Sequence, residues 1–182
     1  MAMLIQNGTL VTGETSYQGD ILVEDGKIAA IGECLSLPDG EVYDASGCKI
    51  FAGFIDAHTH LDMETDITVT ADNFASGTRA ALAGGTTTIV DFATQTRGKT
   101  LGEGLAQWHQ KALNNAYCDY GFHMAVTGWN DAVAAEIGEM AAQGVTSFKV
   151  YMAYESLRLS DGDIYALMRR VKEIGGIVSC HC

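Results

Sequence analysis

Residues 56–63 read DAHTHLDM and set His58 and His60 two positions apart in a run of small and apolar residues, in a chain with only five histidines. On a strand, side chains at i and i+2 share a face, so the two imidazoles project to one side together with Asp56. Two readings fit that geometry. Both histidines can be hydrogen-bonded polar residues at a strand mouth, or both can ligate one metal ion, with Asp56 a hydrogen-bond partner rather than a ligand. The second is favoured when the pair closes the first strand of a βα series, because barrel enzymes place their chemistry at C-terminal strand ends.

Lys149 raises a separate question. In VTSFKVYMAY, alternation sets Val145, Ser147, Lys149 and Tyr151 on one face and Thr146, Phe148 and Val150 on the other, so a lysine stands where a buried strand normally holds an apolar side chain. An unpaired ammonium is costly to bury. The residue can form an ion pair, serve as a neutral amine nucleophile or base, snorkel to solvent, or react with carbon dioxide to give a carbamate whose two oxygens bridge two metal ions. His181, in IVSCHC, comes one βα unit later and is expected at the same mouth, with Cys180 and Cys182 alternating to the opposite face as packed thiols. His123 in DYGFHMAV and Asp91 in TTTIVDFA are candidates for the surroundings of such a site, whereas His109 belongs to the wet face of a helical segment.

The elements that must position these residues follow two different rules along the chain. Residues 1–50 consist of short β-type runs broken by Asn7-Gly8 and Asp25-Gly26, both hairpin signals, and predict a small antiparallel β module. Residues 51–182 alternate strand-like runs (FAGFIDAHTH, TTTIVDFAT, DYGFHMAVTG, VTSFKVYMAY, IVSCHC) with helix-like segments that stop at Gly84-Gly85, Gly144 and Gly175-Gly176. Four βα units and a fifth strand predict an α/β fold with a parallel sheet, best accommodated by a (β/α)8 barrel. A doubly wound sheet is the fallback, disfavoured because no glycine-rich phosphate fingerprint follows the first strand. Such a barrel takes ~250 residues, more than residues 51–182 supply, so an incomplete barrel of about five strands is expected.

Composition excludes several functions. With 182 residues and 47% hydrophobic content, the chain can bury a sizeable core. A net charge of −12 opposes binding to nucleic acid or an anionic membrane. No run approaches ~18 apolar residues, and the first ten lack a basic, then apolar, leader pattern. Five cysteines without a CxxC pair fit reduced thiols and a cytoplasmic protein.

The segments MLIQNGTLVTGETSYQGDILVEDGKIAAIG, GFIDAHTHLDM, GGTTTIVDFA, DYGFHMAVTGW and GVTSFKVYMAY together resemble the dihydropyrimidinase and D-hydantoinase branch of the amidohydrolase superfamily, over essentially the whole chain. The resemblance implies a metal-dependent (β/α)8 barrel with a β-sandwich assembled from both chain ends. It implies hydrolysis of the ring amide of dihydropyrimidines or hydantoins by a hydroxide held between two divalent ions, zinc ahead of manganese or cobalt. In that frame His58 and His60 bind one metal, carbamylated Lys149 bridges both, His181 binds the second, and Tyr154 hydrogen-bonds the substrate carbonyl and its oxyanion. The general base of the family, an aspartate on the eighth strand, is absent from this chain. The chain therefore reads as the N-terminal part of a longer enzyme, without turnover by itself and prone to self-association, the family's complete members being homo-oligomers, typically tetramers. Ala52 and Glu64 replace prolines usual in the branch, and Glu64 lies near the expected substrate mouth. Dihydroorotase or allantoinase chemistry is the alternative that shares HxH and the lysine; a non-catalytic scaffold relative typically lacks the HxH pair.

Overall fold

The computed structural model describes residues 2–65 and 67–182, and the chain divides into two compact units, Met1–Gly53 and Phe54–Cys182. The first is a five-stranded sheet of β1 (Ala2–Val11), β2 (Ser16–Glu24), β3 (Lys27–Gly32), β4 (Glu41–Asp44) and β5 (Lys49–Phe51). Asp25 and Gly26 form a two-residue hairpin between β2 and β3, with φ of 49° and 75°, the left-handed pair that a type I′ turn requires. Asn7-Gly8 does something else. β1 runs straight through it, and the dipeptide forms a bulge with Asn7 at φ 62°.

The bulge sits where β1 changes partners: Met3–Gln6 pair with β4 and Thr9–Val11 with β5, both in parallel. The sheet is therefore mixed rather than purely antiparallel. Buried Asp20 secures the bulge by accepting from the Asn7 N–H and the Leu35 N–H, each at 2.9 Å. A Cβ at position 8 would meet Ile50 Cδ1 at 2.2 Å and Cγ1 at 2.9 Å, so a larger residue there forces the Ile50 side chain to move.

The second unit is a parallel half-barrel. It runs β6 (Phe54–Thr59), α1 (Phe74–Ala83), β7 (Thr86–Thr94), α2 (Leu101–Ala112), β8 (Asp119–Ala125), α3 (Asp131–Ala142), β9 (Ser147–Tyr151), α4 (Asp161–Glu173) and β10 (Ile177–His181). Its strands lie in sequence order, β6-β7-β8-β9-β10. Each helix starts on a side chain that accepts from a first-turn N–H: Asn73, Thr100, Asn130 and Ser160. The helix-side core packs Ile89, Met124, Phe148 and Val150 of the sheet against Leu105, Ile137, Leu167 and other helical residues. Val145, expected on the face of Lys149, lies in this helix-side core instead, because the strand begins only at Ser147. The run FAGFIDAHTH likewise divides: Phe51 ends β5 in the first sheet, and β6 starts at Phe54.

The outer edges of β6 and β10 have no partner strand among the described residues, and Phe54, Ile55 and Ile177 are exposed there. Open parallel edges of this kind are ready templates for further strands.

Asp91 of β7 fixes the segment that carries the histidines. It is fully buried on the helix side, where Oδ1 accepts from Trp108 Nε1 at 3.0 Å and the Phe92 N–H at 2.8 Å. Its other oxygen, Oδ2, accepts from Thr59 Oγ1 and the Leu61 N–H, both at 2.8 Å. Thr59 and Leu61 flank His60, so one carboxylate ties α2, β7 and the end of β6 together. Burial pushes its pKa up although all four hydrogen bonds favour the charged form. Replacing Asp91 with alanine strands buried donors, at ~1–3 kcal/mol for each group left unsatisfied. Asp91→Ala is expected to lower the urea unfolding midpoint by an amount corresponding to several kcal/mol; an unchanged midpoint would contradict the anchoring role.

Candidate metal centre

His58 lies near the C-terminal end of β6, and His60 just beyond it. Their ring centroids are 5.2 Å apart, and both pack on Phe92 of β7, at 4.6 and 4.9 Å. Phe92 is thus the platform on which the HxH pair rests. Asp56 accepts from the His58 backbone N–H at 3.1 Å, and its charge partly opposes the lowering of the His58 pKa.

Lys149, in the middle of β9, reaches the same spot from across the sheet. Its Nζ stands 3.5 Å from His60 Nε2, 4.2 Å from the Phe92 ring centre and 5.1 Å from that of Tyr151. The residue is 5% exposed, and no carboxylate among the described residues forms an ion pair with it. Burial holds its ammonium pKa below the ordinary lysine value. Of the options open in the sequence, this geometry removes the snorkelling lysine and the ion pair, and leaves an amine among aromatic and imidazole rings.

Burial, then Lys149, then His58 lower the pKa of His60 to about 4, and burial with Lys149 and His123 lowers that of His58. Both imidazoles are therefore neutral near pH 7, the state in which nitrogen lone pairs are free for a ligand. Two buried polar atoms here have no hydrogen-bond partner among the described residues, His60 Nδ1 and the Tyr151 hydroxyl. Buried polar groups are usually satisfied, and orphans in a cluster point to something that completes them.

His181 ends β10 opposite Tyr151 of β9, and its ring neighbours are Tyr151 at 5.9 Å and Tyr154 at 5.1 Å. Tyr154 adopts φ 65° in the loop after β9 and is 58% exposed, its ring beside those of His181 and, at 6.4 Å, Tyr151. A cleft of about 430 Å³ joins these groups, lined among others by His60, Glu64, Lys149, Tyr154 and His181. The structure thus brings His60, Lys149, Tyr154 and His181 to one cleft, with His58 behind His60. It does not bring three histidine, cysteine or carboxylate side chains into one ready-made cluster among the described residues. Of the ligands expected from the sequence, His60, Lys149 and His181 line this cleft, and His58 packs beside His60 on Phe92.

His123 is a satisfied structural residue. Its ring nitrogens bond Ser147 Oγ and, at 2.9 Å, the Ala57 carbonyl, cross-linking β8 with β9 and β6. Cys180 and Cys182 are exposed rather than packed: Cys180 is on β10, whose outer edge has no partner strand among the described residues, and Cys182 follows it. Phe92 and Tyr151, which shape the pocket for Lys149, were not singled out in the sequence. The signal for Phe92 is its alternation with Asp91 on the strand next to the HxH strand.

Comparison with known proteins agrees with this architecture. Residues 50–182 match the model of the Amidohydrolase family. The chain is 46% identical to a D-hydantoinase of Geobacillus stearothermophilus, in an alignment that takes in 100% of this chain and 39% of that relative. It is 40% identical to a dihydropyrimidinase of Dictyostelium discoideum, over 98% of this chain and 36% of the relative. The crystal structure of dihydropyrimidinase from Brevibacillus agri NCHU1002 superimposes with a TM-score of 0.96 at 45% identity, over 100% of this chain and 40% of that one. The chain accordingly spans about two fifths of the length of the relatives it resembles. Given the family match over the whole half-barrel and the parallel βα series that carries the HxH pair, this chain belongs to the amidohydrolase family.

Proposed function

We propose that the complete protein to which these residues belong is a metal-dependent cyclic amidohydrolase that opens the ring amide of dihydropyrimidines or hydantoins. The observation that carries this reading is the Lys149 amine, buried without an acidic partner among the described residues and 3.5 Å from His60 Nε2. Burial lowers the pKa of this amine, so it gives up its proton more readily than an ordinary lysine; the unprotonated amine is nucleophilic toward carbon dioxide, its lone pair forms the N–C bond, one N–H proton leaves to solvent, and a carbamate results. The anion formed replaces an unfavourable buried cation with a group that divalent ions neutralise.

His58 and His60 present neutral nitrogens on one side of Lys149 and His181 on the other, so the carbamate would join two binding positions. Two divalent ions, zinc in the first instance, supply there the Lewis acidity that activates water and polarises a ring carbonyl. Imidazole and carboxylate-type oxygens also accept manganese and cobalt. Tyr154 places its hydroxyl at the cleft mouth, where it can donate to the substrate carbonyl and to the oxygen that gains charge as water adds. Glu64 lines the same mouth and bears on which ring substituents are accepted. The D-hydantoinase and dihydropyrimidinase names of the relatives support the substrate class. A cytoplasmic location, which five free thiols favour, and a homo-oligomeric assembly belong to the same proposal.

Carbon-13 NMR of the chain incubated with zinc and ¹³C-bicarbonate is expected to show a carbamate resonance and bound zinc, both lost in Lys149→Ala. Zinc content unchanged by that substitution would contradict the bridging role. The carbamate signal should also fade as pH falls, since only the unprotonated amine reacts, and the depressed pKa places that loss below the range of an ordinary lysine. In parallel, the zinc-loaded 182-residue chain is expected not to open dihydrouracil or hydantoin, because the proposed general base lies outside these residues. Measurable turnover would show that no further residue is required.

A further inference from the structure

The cleft that holds the candidate metal centre has a second wall, supplied by the segment between β6 and α1. Met63, Glu64, Thr65 and Thr70 of that segment line it, and Leu157 lines it from the loop after β9. Among the described residues lining the cleft, Glu64 is the one carboxylate. Its volume of about 430 Å³ falls within the ~300–1,000 Å³ of pockets that take drug-sized molecules. A ring held at the histidine and lysine groups therefore leaves space for a substituent.

The backbone around Glu64 is fixed by its own hydrogen bonds. The Thr70 N–H donates to the Met63 carbonyl at 2.9 Å, the Met63 N–H donates to Thr70 Oγ1 at 3.0 Å, and Glu64 pairs with Val69 in an antiparallel bridge. At the base, Asp62 adopts φ 51°, its N–H donates to the Asp72 carbonyl at 3.0 Å, and its Oδ2 accepts from the Phe74 N–H at 3.0 Å. Lys111 of α2 closes the clamp: its Nζ lies 4.3 Å from the Trp108 ring centre and donates to the Asp62 carbonyl at 2.6 Å. Trp108 in turn donates to Asp91, which holds Thr59 and Leu61. One helix thus sets both the HxH segment and the base of the wall that bears Glu64.

We propose that Glu64 determines specificity by favouring ring substrates whose substituent ends in a cation, such as an aminoalkyl hydantoin. The inference rests on the cyclic amidohydrolase reading above and names the substrates within it. The alkyl stem of such a substituent suits Met63 and Leu157, and its ammonium suits the carboxylate. The same carboxylate repels an anionic substituent, so one residue both attracts and rejects. Because the backbone is already ordered, little ordering cost falls on binding.

The test compares hydantoins bearing aminobutyl, pentyl and carboxypropyl substituents on the complete, zinc-loaded protein. Dissociation constants are read by ligand NMR before appreciable ring opening, and kcat/KM is measured in parallel. The native protein is expected to prefer the rings in that order, with the preference for aminobutyl over pentyl weakening as salt is added. Glu64→Gln should lower the aminobutyl-to-pentyl ratio about fivefold, and Glu64→Lys should turn the preference toward carboxypropyl. Each ratio is internal to one variant, so a less stable variant still reports it. Ring opening with the same ratio in the native protein and in Glu64→Gln would overturn the selection alone. Binding in the expected order without any ring opening would overturn the hydrolase reading and uphold the selection, and failure to bind any of the three rings would overturn both.

Discussion

Everything in the half-barrel turns on the desolvation of one amine. Lys149 sits on the fourth strand of a parallel sheet, with aromatic rings and an imidazole around its Nζ and no carboxylate among the described residues to neutralise it. Isolated buried charge is among the most costly things a fold can hold, and the usual outcome is a shift toward the neutral form. Here burial lowers the pKa of an amine at the C-terminal mouth of the sheet. The π faces of Phe92 and Tyr151 stabilise the cation partly, yet offer no anion to hold it.

The surroundings of that amine are built from the opposite side of the sheet. Asp91 faces the helices, but its carboxylate holds Thr59 and Leu61 on either side of His60 and takes the indole N–H of Trp108. Phe92, its neighbour in sequence, faces inward and carries both imidazoles. Two consecutive residues of β7 therefore set the backbone and the rings of the HxH segment at once. His123 adds a second brace, between the Ala57 carbonyl and Ser147 of the strand that bears Lys149.

Much of this was legible in the sequence because the relevant rules are local. The four helices and the glycine stops after three of them follow from periodicity and turn chemistry. His58, His60 and Lys149 were conspicuous as polar residues in apolar strands. What failed to show depends on distant partners. Asn7-Gly8 and Asp25-Gly26 read alike, but the first became a bulge because β1 exchanges β4 for β5 at that point, a change that no local window contains. Cys180 and Cys182 alternate as packed residues would, yet Cys180 lies on the last strand among the described residues and Cys182 just beyond it, and place in the sheet is not a local property. Phe92 looked like an ordinary core phenylalanine until the sheet set it beneath two histidines.

The account stands on the protonation state of Lys149, which can be measured directly. A pH titration of the lysine side-chain nitrogens by NMR, with Lys149 assigned by its loss in Lys149→Ala, reads each amine separately in the metal-free protein. Lys149 is expected to lose its proton at a clearly lower pH than the remaining lysines. Titration together with them, near the ordinary value of ~10.4, would contradict the claim that burial holds this amine ready for reaction.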